Sequence, residues 1–384
     1  PEEYVPWLTG YYAKGGNNQM ALSVLDGAAS DYLLTGNDAY AAAFIAMMQL
    51  IKDNYFKALD FRRTSPHFQF HRFPAAVDAV DESPVFDGSA QLLAAEVSRF
   101  ISEEIMENGD MKLPQQLYNT RKRQYMTNHP MMAMRAMYFN AEFLQKRANF
   151  KPADYWRKVA EYGMDCVKDY VFSPEDSLAY QFHVLEIFTY YAYGSGKFGR
   201  NFFDTPAIRD YMQYTYCFVD PRGGSPGLGD TYPVHRAIAV SGMMRMIKSW
   251  TELLDSNESK FYYDRLSKYL KRYMPAESEG LGEMPPDLPP PGKESLGLLI
   301  FPVRPDKFEA LKTGVKYSRS ALDKAVFRSG WNPASDEYLF VTGINGGPHG
   351  HYDANAIGAY VIGDFDLLAD RDYIRKFPED HNSM

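Results

Sequence analysis

The sequence predicts a protein of two parts, an all-helical region followed by an antiparallel β-sheet, and three observations carry this prediction. Up to about residue 275, apolar residues recur at helical spacing in one segment after another. A proline-rich stretch from Glu283 to Gly292 then interrupts the pattern, because proline cannot continue a helix. After it, short runs of β-branched and aromatic residues lie between turn-forming residues, which is typical of strands.

The helical region is a series of segments with apolar residues three and four positions apart. These segments cover residues 20–25, 41–48, 88–107, 129–147, 152–170, 178–193, 206–216, 234–254 and 258–273. Runs rich in Gly, Asn and Asp separate them, at residues 36–38, 108–110, 194–196 and 223–227. Short polar loops imply antiparallel hairpins, and about a dozen such helices bury their apolar faces best as a bundle or a closed toroid. No internal repeat is strong enough to indicate a solenoid.

The strand-like runs are residues 325–329, 338–342 and 357–362, each bounded by Gly, Pro, Asn or Asp. The proline-rich stretch before them reads as a semi-rigid linker. We therefore assign residues 1–280 to a helical domain, 281–295 to the linker and 296–384 to the start of an antiparallel β-sheet domain.

Composition limits the class of protein and its partners. A chain of 384 residues exceeds what one core usually serves, which favours two domains. Its net charge of −8 argues against nucleic acid as the main partner, because phosphate binding needs a basic surface. An anionic polysaccharide needs only a locally basic cleft, and an aromatic content of 15% offers rings on which sugars can stack. No apolar stretch approaches the roughly 20 residues that span a bilayer.

Two smaller features add expectations. Cys166 lies on a helical pattern and Cys217 in a tyrosine-rich segment, so both are expected to be small buried residues rather than a disulfide. The chain opens at Pro1 without a signal peptide and stops at Met384, soon after the last strand-like run. We expect a trimmed chain with a truncated sheet domain.

Imidazole and carboxylate groups gather in the C-terminal segment. His349 and His351 precede an apolar run, and Asp370 and His381 follow it. A strand and its return could bring such groups together, and a His, Asp and His set suits zinc. The alternative is a glycine-rich turn with polar loop residues, and a metal site is the stronger interpretation.

A helical domain and a linker are followed by an H-G-H-x-D motif at 349–353, Leu-Leu-x-Asp at 367–370 and His-Asn-Ser at 381–383. In the order of these parts, the chain resembles the heparinase II/III-like polysaccharide lyases and related alginate lyases. The resemblance covers most of the chain and is specific in the C-terminal motifs. It implies an incomplete (α/α) toroid joined to an antiparallel β-sandwich, with the active site in the cleft between them. It also implies cleavage of uronic-acid polysaccharides, such as glycosaminoglycans or alginate, by β-elimination in a bacterial secreted or periplasmic setting.

Such chemistry needs three kinds of group. The C5 proton of a uronate is a weak carbon acid, so the neighbouring carboxylate must be neutralised or hydrogen-bonded as charge develops on it. A base must take the proton, and an acid must protonate the O4 leaving group. Asn, His and Arg suit the first task, and Tyr and His suit the other two.

In the helical domain, the resemblance assigns these tasks to three residues. Asn128 and His129 are expected to contact the substrate carboxylate. Alternatively, Asn128 caps the helix that follows, with Pro130 in its first turn. Tyr180 matches the catalytic acid of the family, which in some members is also the base, although a tyrosine in a tyrosine-rich helix is usually a core residue.

Further residues could bind substrate. Asp230 lies in a Gly-Asp-Thr turn of the kind that recurs in the family, or it caps the following helix through an Asx-turn. His235, Arg236 and Arg135 could add positive charge to the cleft. The basic run 121–123 usually means a solvated face, but here it could draw in a polyanion.

In the sheet domain, the resemblance divides the motif residues. His349 is expected in the cleft, where it can transfer a proton or contact the carboxylate. His351, Asp370 and His381 match the family's zinc ligands, and this zinc is expected to be structural, because a catalytic zinc needs an open position facing the substrate.

One departure from the family leaves the base open. Relatives often carry a long loop with a second catalytic tyrosine between the metal Asp and the metal His. Here ten residues separate Asp370 from His381, with Tyr373 as their sole tyrosine. The base is therefore Tyr180, His349 or Tyr373.

Two other functions remain in competition with a lyase. A glycoside hydrolase on a helical toroid would need two carboxylates across a cleft, for which Asp176 and Asp230 are candidates. A glycan-binding protein could keep the fold without catalysis. The sequence does not decide the polymer, endo or exo action, or the oligomeric state.

Overall fold

The computed structural model describes residues 1–54, 67–169, 177–197, 205–229, 256–278, 288–304, 318, 320–344 and 355–369. Within these ranges, twelve α-helices precede five β-strands, which confirms the predicted order of a helical region followed by an antiparallel sheet. The chain divides into two compact units, which we call the N-terminal unit (Pro1–Asp169) and the C-terminal unit (Tyr170–Met384). The predicted domain limits follow the change from helix to strand instead, and they stay a prediction.

The N-terminal unit contains nine of the described helices. They are α1 (Tyr4–Ala13), α2 (Asn18–Thr35), α3 (Asp38–Asn54), α4 (His67–Phe70), α5 (Phe73–Val80), α6 (Gly88–Glu107), α7 (Gly109–Thr120), α8 (Asn128–Ala148) and α9 (Pro152–Asp169).

The C-terminal unit contains three described helices and the sheet. The helices are α10 (Leu178–Gly194), α11 (Pro206–Tyr216) and α12 (Asn257–Tyr273), and the strands are β1 (Gly297–Pro302), β2 (Leu322–Arg328), β3 (Glu337–Thr342), β4 (Ile357–Ile362) and β5 (Phe365–Ala369). Two short 3₁₀ segments, Pro275–Ser278 and Lys293–Ser295, lie between α12 and β1.

Side-chain caps and a left-handed glycine set the helix ends where the sequence predicts breaks. Asp87 accepts hydrogen bonds from the backbone N–H groups of Ser89 and Ala90, at 2.9 and 3.0 Å, and so starts α6. Asn108 ends α6 and also caps α7, because its Oδ1 accepts from the backbone N of Asp110 at 3.0 Å. Gly36 closes α2 with φ 63°, a conformation that costs glycine little.

Helix α8 is the centre of the N-terminal unit, and it packs against α4, α6, α7 and α9. Most of its residues are buried, including Met131, Met134 and Met137. The packing is close: a Cβ on Gly163 of α9 would lie 1.9 Å from the sulfur of Met134. The absence of a side chain at Gly163 therefore lets α8 and α9 approach one another.

A single buried amide joins three helices of this unit. Asn140 on α8 donates from Nδ2 to the carbonyl oxygens of Phe70 and Ala136, both at 2.9 Å. Its Oδ1 accepts a hydrogen bond from the Ser98 hydroxyl on α6 at 3.0 Å. Three polar contacts around one amide explain why this side chain can be fully buried.

The five strands form one sheet in the order β1-β2-β3-β4-β5, and each neighbouring pair is antiparallel. Val326, Phe340 and Ala359 lie opposite one another across three strands, and all three are buried. The positions on either side of Val326 in β2 and of Phe340 in β3 are less buried, as the two-residue period of a strand dictates. The hydroxyl of Tyr338 on the buried face donates to the carbonyl oxygen of Cys217 at 2.9 Å, which ties β3 to the loop after α11.

Arg328 joins the sheet to this same loop. Its side chain is fully buried, and it donates to the carbonyl oxygens of Ser295 at 2.8 Å, Tyr216 at 3.4 Å and Val219. The guanidinium also lies 4.0 Å from the ring centroid of Trp331. The buried cation is therefore held by carbonyl dipoles and an aromatic face.

A second buried arginine ties the glycine-rich loop to β5. Arg222 Nη2 lies 2.9 Å from Asp220 Oδ2 and 2.5 Å from Asp366 Oδ1. Asp220 Oδ1 also accepts from the backbone N of Arg222 at 2.8 Å and of Gly224 at 2.9 Å, which folds the loop into an Asx-turn. In Gly223, with φ 96°, a Cβ would lie 2.0 Å from the Arg265 carbonyl oxygen, so the loop needs glycine there.

Two further expectations concern membranes and cysteines. No helix among the described residues is long and apolar enough to cross a bilayer. Cys166 and Cys217 are both free and buried, as the sequence predicts.

Candidate functional site

The predicted pair Asn128 and His129 begins α8. Thr127 occupies the N-cap position, with extended backbone at φ −89° and ψ 173°, so the expectation that Asn128 itself is the cap is wrong by one residue. Asn128 Oδ1 still accepts from a backbone N–H of the first turn, that of His129, at 2.8 Å. Pro130 lies in the first turn as predicted, where proline costs no helical hydrogen bond.

His129 presents the more accessible side chain of the pair. It is 43% exposed, whereas Asn128 is 4% exposed. Its Nδ1 lies 3.5 Å from Asp110 Oδ2, and the Phe68 ring meets the imidazole nearly edge-on, with centroids 5.1 Å apart. A carboxylate on one side and a ring on the other hold the imidazole in one orientation.

Asp110 contacts the candidate residue His129, and the sequence interpretation did not single it out. It lies in the first turn of α7, immediately after the Asn108 cap and Gly109. The sequence marks this Asn-Gly-Asp run only as a helix breaker, and nothing in the spacing connects position 110 with position 129. The fold brings the start of α7 and the start of α8 together.

Arg135 lies on α8 within the core of the N-terminal unit and is only 7% exposed. Its distance along the helix from Asn128 is seven residues, or roughly two turns, which places the two on a similar face. Its expected contact with substrate stays a prediction.

Tyr180 lies in the first turn of α10, as the sequence predicts for the catalytic acid. Ser177 occupies the N-cap position before it, and the tyrosine side chain is partly buried. One turn further, His183 Nδ1 lies 3.8 Å from Glu186 Oε2, so this imidazole faces a carboxylate on its own helix. The role of Tyr180 in proton transfer stays a prediction.

The remaining predicted site residues lie outside the described residues: His349, Tyr373, Asp230, His235, Arg236, His351, Asp370 and His381. Among the residues that the structure does describe, no group of three His, Cys, Asp or Glu side chains is placed to hold a metal ion. The zinc site therefore stays a prediction about the C-terminal motifs, whose two imidazoles and one carboxylate are a donor set that zinc accepts.

Two neighbouring pockets lie in the C-terminal unit, beside α11 and β1. One, of about 160 Å³, is lined by Tyr216, Cys217, Tyr262 and Arg328 among others. The other, of about 270 Å³, includes Asp210 and Arg304, and neither contains a predicted site residue.

The thiol and the tyrosine hydroxyls that line the smaller pocket are unreactive at neutral pH. Burial raises the pKa of the Cys217 thiol to about 12, although the charge of Arg328 opposes this. Burial likewise raises the pKa of Tyr216 and Tyr262. These hydroxyl and thiol groups stay protonated, so we do not place catalysis there.

Comparison with known proteins gives a likeness in fold. No protein-family model matches the chain, and no curated protein matches it in sequence. A solved structure of a heparinase III with methylated lysines is similar, with a TM-score of 0.52 and 13% identity over 90% of this chain. The match covers 49% of that protein, so this chain spans about half its length. At this identity the likeness shows the fold, and it does not extend to alginate lyases.

Proposed function

We propose that this chain is a polysaccharide lyase that cleaves a uronic-acid-containing polysaccharide or oligosaccharide by β-elimination. The observation that carries the proposal is the likeness in fold to a heparinase III over 90% of the chain. The C-terminal motifs and the positions of His129 and Tyr180, each in the first turn of a helix, support it. A bacterial secreted or periplasmic setting belongs to the same proposal.

The first chemical task is to stabilise the substrate carboxylate as the C5 proton leaves. In the proposed mechanism, Asn128 and His129 hydrogen-bond this carboxylate where negative charge develops. Nδ1 of His129 faces Asp110, and in the proposed mechanism the imidazole contacts the substrate through Nε2. Asp110 thereby fixes the imidazole before substrate arrives, so that no reorientation is needed during reaction.

The second task is proton transfer. A base, which is Tyr180, His349 or Tyr373, takes the C5 proton, and the C–H electron pair forms the C4–C5 double bond. The C4–O4 bond breaks, and Tyr180 as the acid donates a proton to the departing O4. The products are an unsaturated uronate and a new chain end, with no water consumed.

Zinc has a structural place in the proposal. His351, Asp370 and His381 would hold it, and the bound metal would pin the sheet by cross-linking segments of chain. We expect His351→Ala to lower both the zinc content and the melting temperature. Metal analysis that finds no zinc in the unmutated protein would contradict the site.

A product assay on a panel of heparan-type, chondroitin, hyaluronan and alginate substrates tests the function. Ultraviolet absorbance from the unsaturated uronate is the expected result. New reducing ends without that absorbance would indicate a hydrolase, and binding with no product would indicate a glycan-binding protein. Either outcome contradicts the proposal.

Tyr180→Phe tests the acid. We expect this variant to abolish turnover and keep the fold, because it removes one hydroxyl from a partly buried ring. Tyr193→Phe is the matched control: it lies on the same helix, is 72% exposed, and is expected to keep full activity. Full activity in Tyr180→Phe, checked by circular dichroism for folding, would remove Tyr180 from the mechanism.

A further inference from the structure

At the C-terminal end of α7, a surface of the N-terminal unit combines tyrosine rings with two cations that form no ion pair among the described residues. We call it the tyrosine–arginine patch, and it consists of Tyr118, Arg121, Lys122, Tyr155 and Tyr162. We propose that this patch is an accessory binding site for carboxylated or sulfated sugar residues of a polysaccharide. The proposal rests on the proposed function for the class of polymer, but it concerns a surface separate from His129.

The rings form a compact cluster that holds the arginine. Tyr118 packs edge-on against Tyr155, with centroids 5.8 Å apart, and against Tyr162, at 5.9 Å. The guanidinium of Arg121 lies 4.3 Å from the centroid of Tyr118 and 5.5 Å from that of Tyr162. The hydroxyl of Tyr162 donates to the Lys122 carbonyl oxygen at 3.3 Å, which fixes the backbone immediately after the two cations.

The backbone of Arg121 points to a use for its side chain. Arg121 ends α7 in the left-handed conformation, with φ 56° and ψ 22°. The other non-glycine residues with positive φ in the described ranges are Asn149 and Asn355, and asparagine tolerates that region better than arginine. Glycine is the common residue at such a helix end. An arginine there carries backbone strain, and its guanidinium is held over two rings.

The two cations are available to an anion. Arg121 and Lys122 are exposed, and neither forms an ion pair with any carboxylate that the structure describes. Two acidic side chains on α9 are paired with cations of their own helix: Asp154 contacts Lys158 at 2.5 Å, and Glu161 contacts Arg157. The surface is therefore locally positive on a chain whose net charge is −8.

The chemistry of the patch fits an acidic sugar better than other ligands. The exposed Tyr155 ring, at 39%, offers a face for the C–H groups of a sugar, and the cations offer charged hydrogen bonds to a carboxylate or sulfate. A neutral glucan would use only the ring. A nucleic acid would also use the cations, so the test below includes single-stranded DNA as a comparison probe.

The patch is separate from the His129 pair. Asp110, which contacts His129, lies in the first turn of α7, and Arg121 ends the same helix. Eleven residues along an α-helix correspond to roughly 16 Å. A bound polymer at the patch can therefore be measured apart from events at His129.

The test measures direct binding of fluorescently labelled hyaluronan and chondroitin sulfate, with dextran and single-stranded DNA as comparison probes. All proteins carry Tyr180→Phe so that the probe is not consumed. The test variant adds Arg121→Gly and Lys122→Gln, since glycine accepts the left-handed backbone and should keep the fold. The control adds Lys151→Gln, an exposed lysine in the same unit without an ion pair in the described residues.

We expect the double variant to bind both acidic polymers about five- to tenfold more weakly at low salt, and the difference to shrink as salt rises. The control should bind as the parent does, and dextran should bind to neither. Unchanged affinity in the double variant, or DNA binding as tight as the acidic polymers, overturns the proposal.

The outcome is independent of the proposed lyase activity. If the unmutated protein forms unsaturated product but the patch variant binds unchanged, the patch proposal alone fails. If the patch variant loses binding while no polymer yields product, the patch stands and the lyase proposal fails.

Discussion

In the N-terminal unit helix joins helix through Ala, Met and Leu side chains, whereas in the C-terminal unit buried guanidinium groups join helix and loop to sheet. Helix α8 is surrounded mainly by apolar neighbours, and the buried amide of Asn140 links it to α4 and α6. The loop after α11 instead receives hydrogen bonds from Arg328 and Tyr338.

Backbone geometry explains this difference. Helices that pack side by side satisfy their own backbone groups, so apolar side chains can fill the space between them. The last carbonyl groups of a helix have no partner within the helix, and a sheet packed over that end excludes water from them. Buried donors must then come from side chains, and the guanidinium, with five N–H groups, can serve several carbonyls at once.

Among the substitutions that test this difference between the two units, Arg328→Leu should lower the free energy of unfolding most. It removes the donor to the carbonyl oxygens of Ser295, Tyr216 and Val219 in a buried position, and we expect a loss of about 3–5 kcal/mol in unfolding free energy. Hydrogen exchange in peptides from the C-terminal unit would report it. Arg272→Leu is the control, because the Arg272 side chain is 59% exposed and solvent screens its pair with Asp364, so its loss should have little effect. An equal loss of unfolding free energy in the two variants would contradict the structural role of the buried guanidinium.

Asn140→Leu should destabilise the N-terminal unit by about 2–3 kcal/mol. The apolar side chain has a similar size, but it leaves the buried carbonyl oxygen of Phe70 and the Ser98 hydroxyl without their amide partner. Urea unfolding followed by hydrogen exchange in α4, α6 and α8 measures the cost. A neutral or stabilising result would mean that the N-terminal unit does not depend on the hydrogen bonds of Asn140.

Alkaline pH should act on the C-terminal unit through Cys217. Burial raises the pKa of this thiol from 9.0 to about 12, so the folded state holds its proton where the unfolded state loses it. The contribution of this thiol to the free energy of unfolding is fully present below about pH 9 and is lost as pH rises toward 12. Between about pH 9 and 10.5 we expect the free energy of unfolding to fall by about 2 kcal/mol. Cys217→Ala should flatten this part of the stability profile, and an unchanged slope would contradict the assignment.

Two glycine substitutions should give the smallest effects, with opposite signs. Gly163→Ala places a Cβ against Met134 and should cost about 1–2 kcal/mol despite the better helix propensity of alanine. Gly10→Ala in α1 meets no heavy atom within 4 Å and should stabilise by about 0.5–1 kcal/mol. Thermal melts of the two variants compare them directly, and a gain from Gly163→Ala would show that α8 and α9 are less tightly packed than they look.

The sequence predicts those elements that carry their own boundary signals. The expected segments 88–107, 206–216 and 357–362 coincide with α6, α11 and β4, which lie next to residues such as Asp87 and Pro206. The strand β1 has an apolar run of Leu, Leu, Ile and Phe without alternation, and its state depends on pairing with β2. The sequence pattern therefore predicts strands only from β2 onward and does not predict β1.

The sequence likewise predicts those features of the candidate site that depend on local signals. The position of Tyr180 in a first turn follows from local sequence, and so does the start of a helix near His129. The contact of Asp110 with His129 depends on how α7 packs against α8, which local spacing does not encode. The burial of Arg135 likewise follows from neighbours on several sides of α8 rather than from its own helical pattern.

The bonds from Arg328 and Tyr338 to the loop after α11 have a consequence for the order of folding. Their donors lie 109 residues beyond Val219 and 121 residues beyond Cys217 along the chain. During synthesis, the loop leaves the ribosome well before β2 and β3 exist, so its carbonyl groups must stay hydrated until the strands arrive. Contacts of such sequence separation form slowly, and we expect the C-terminal unit to complete its folding after its helices have formed.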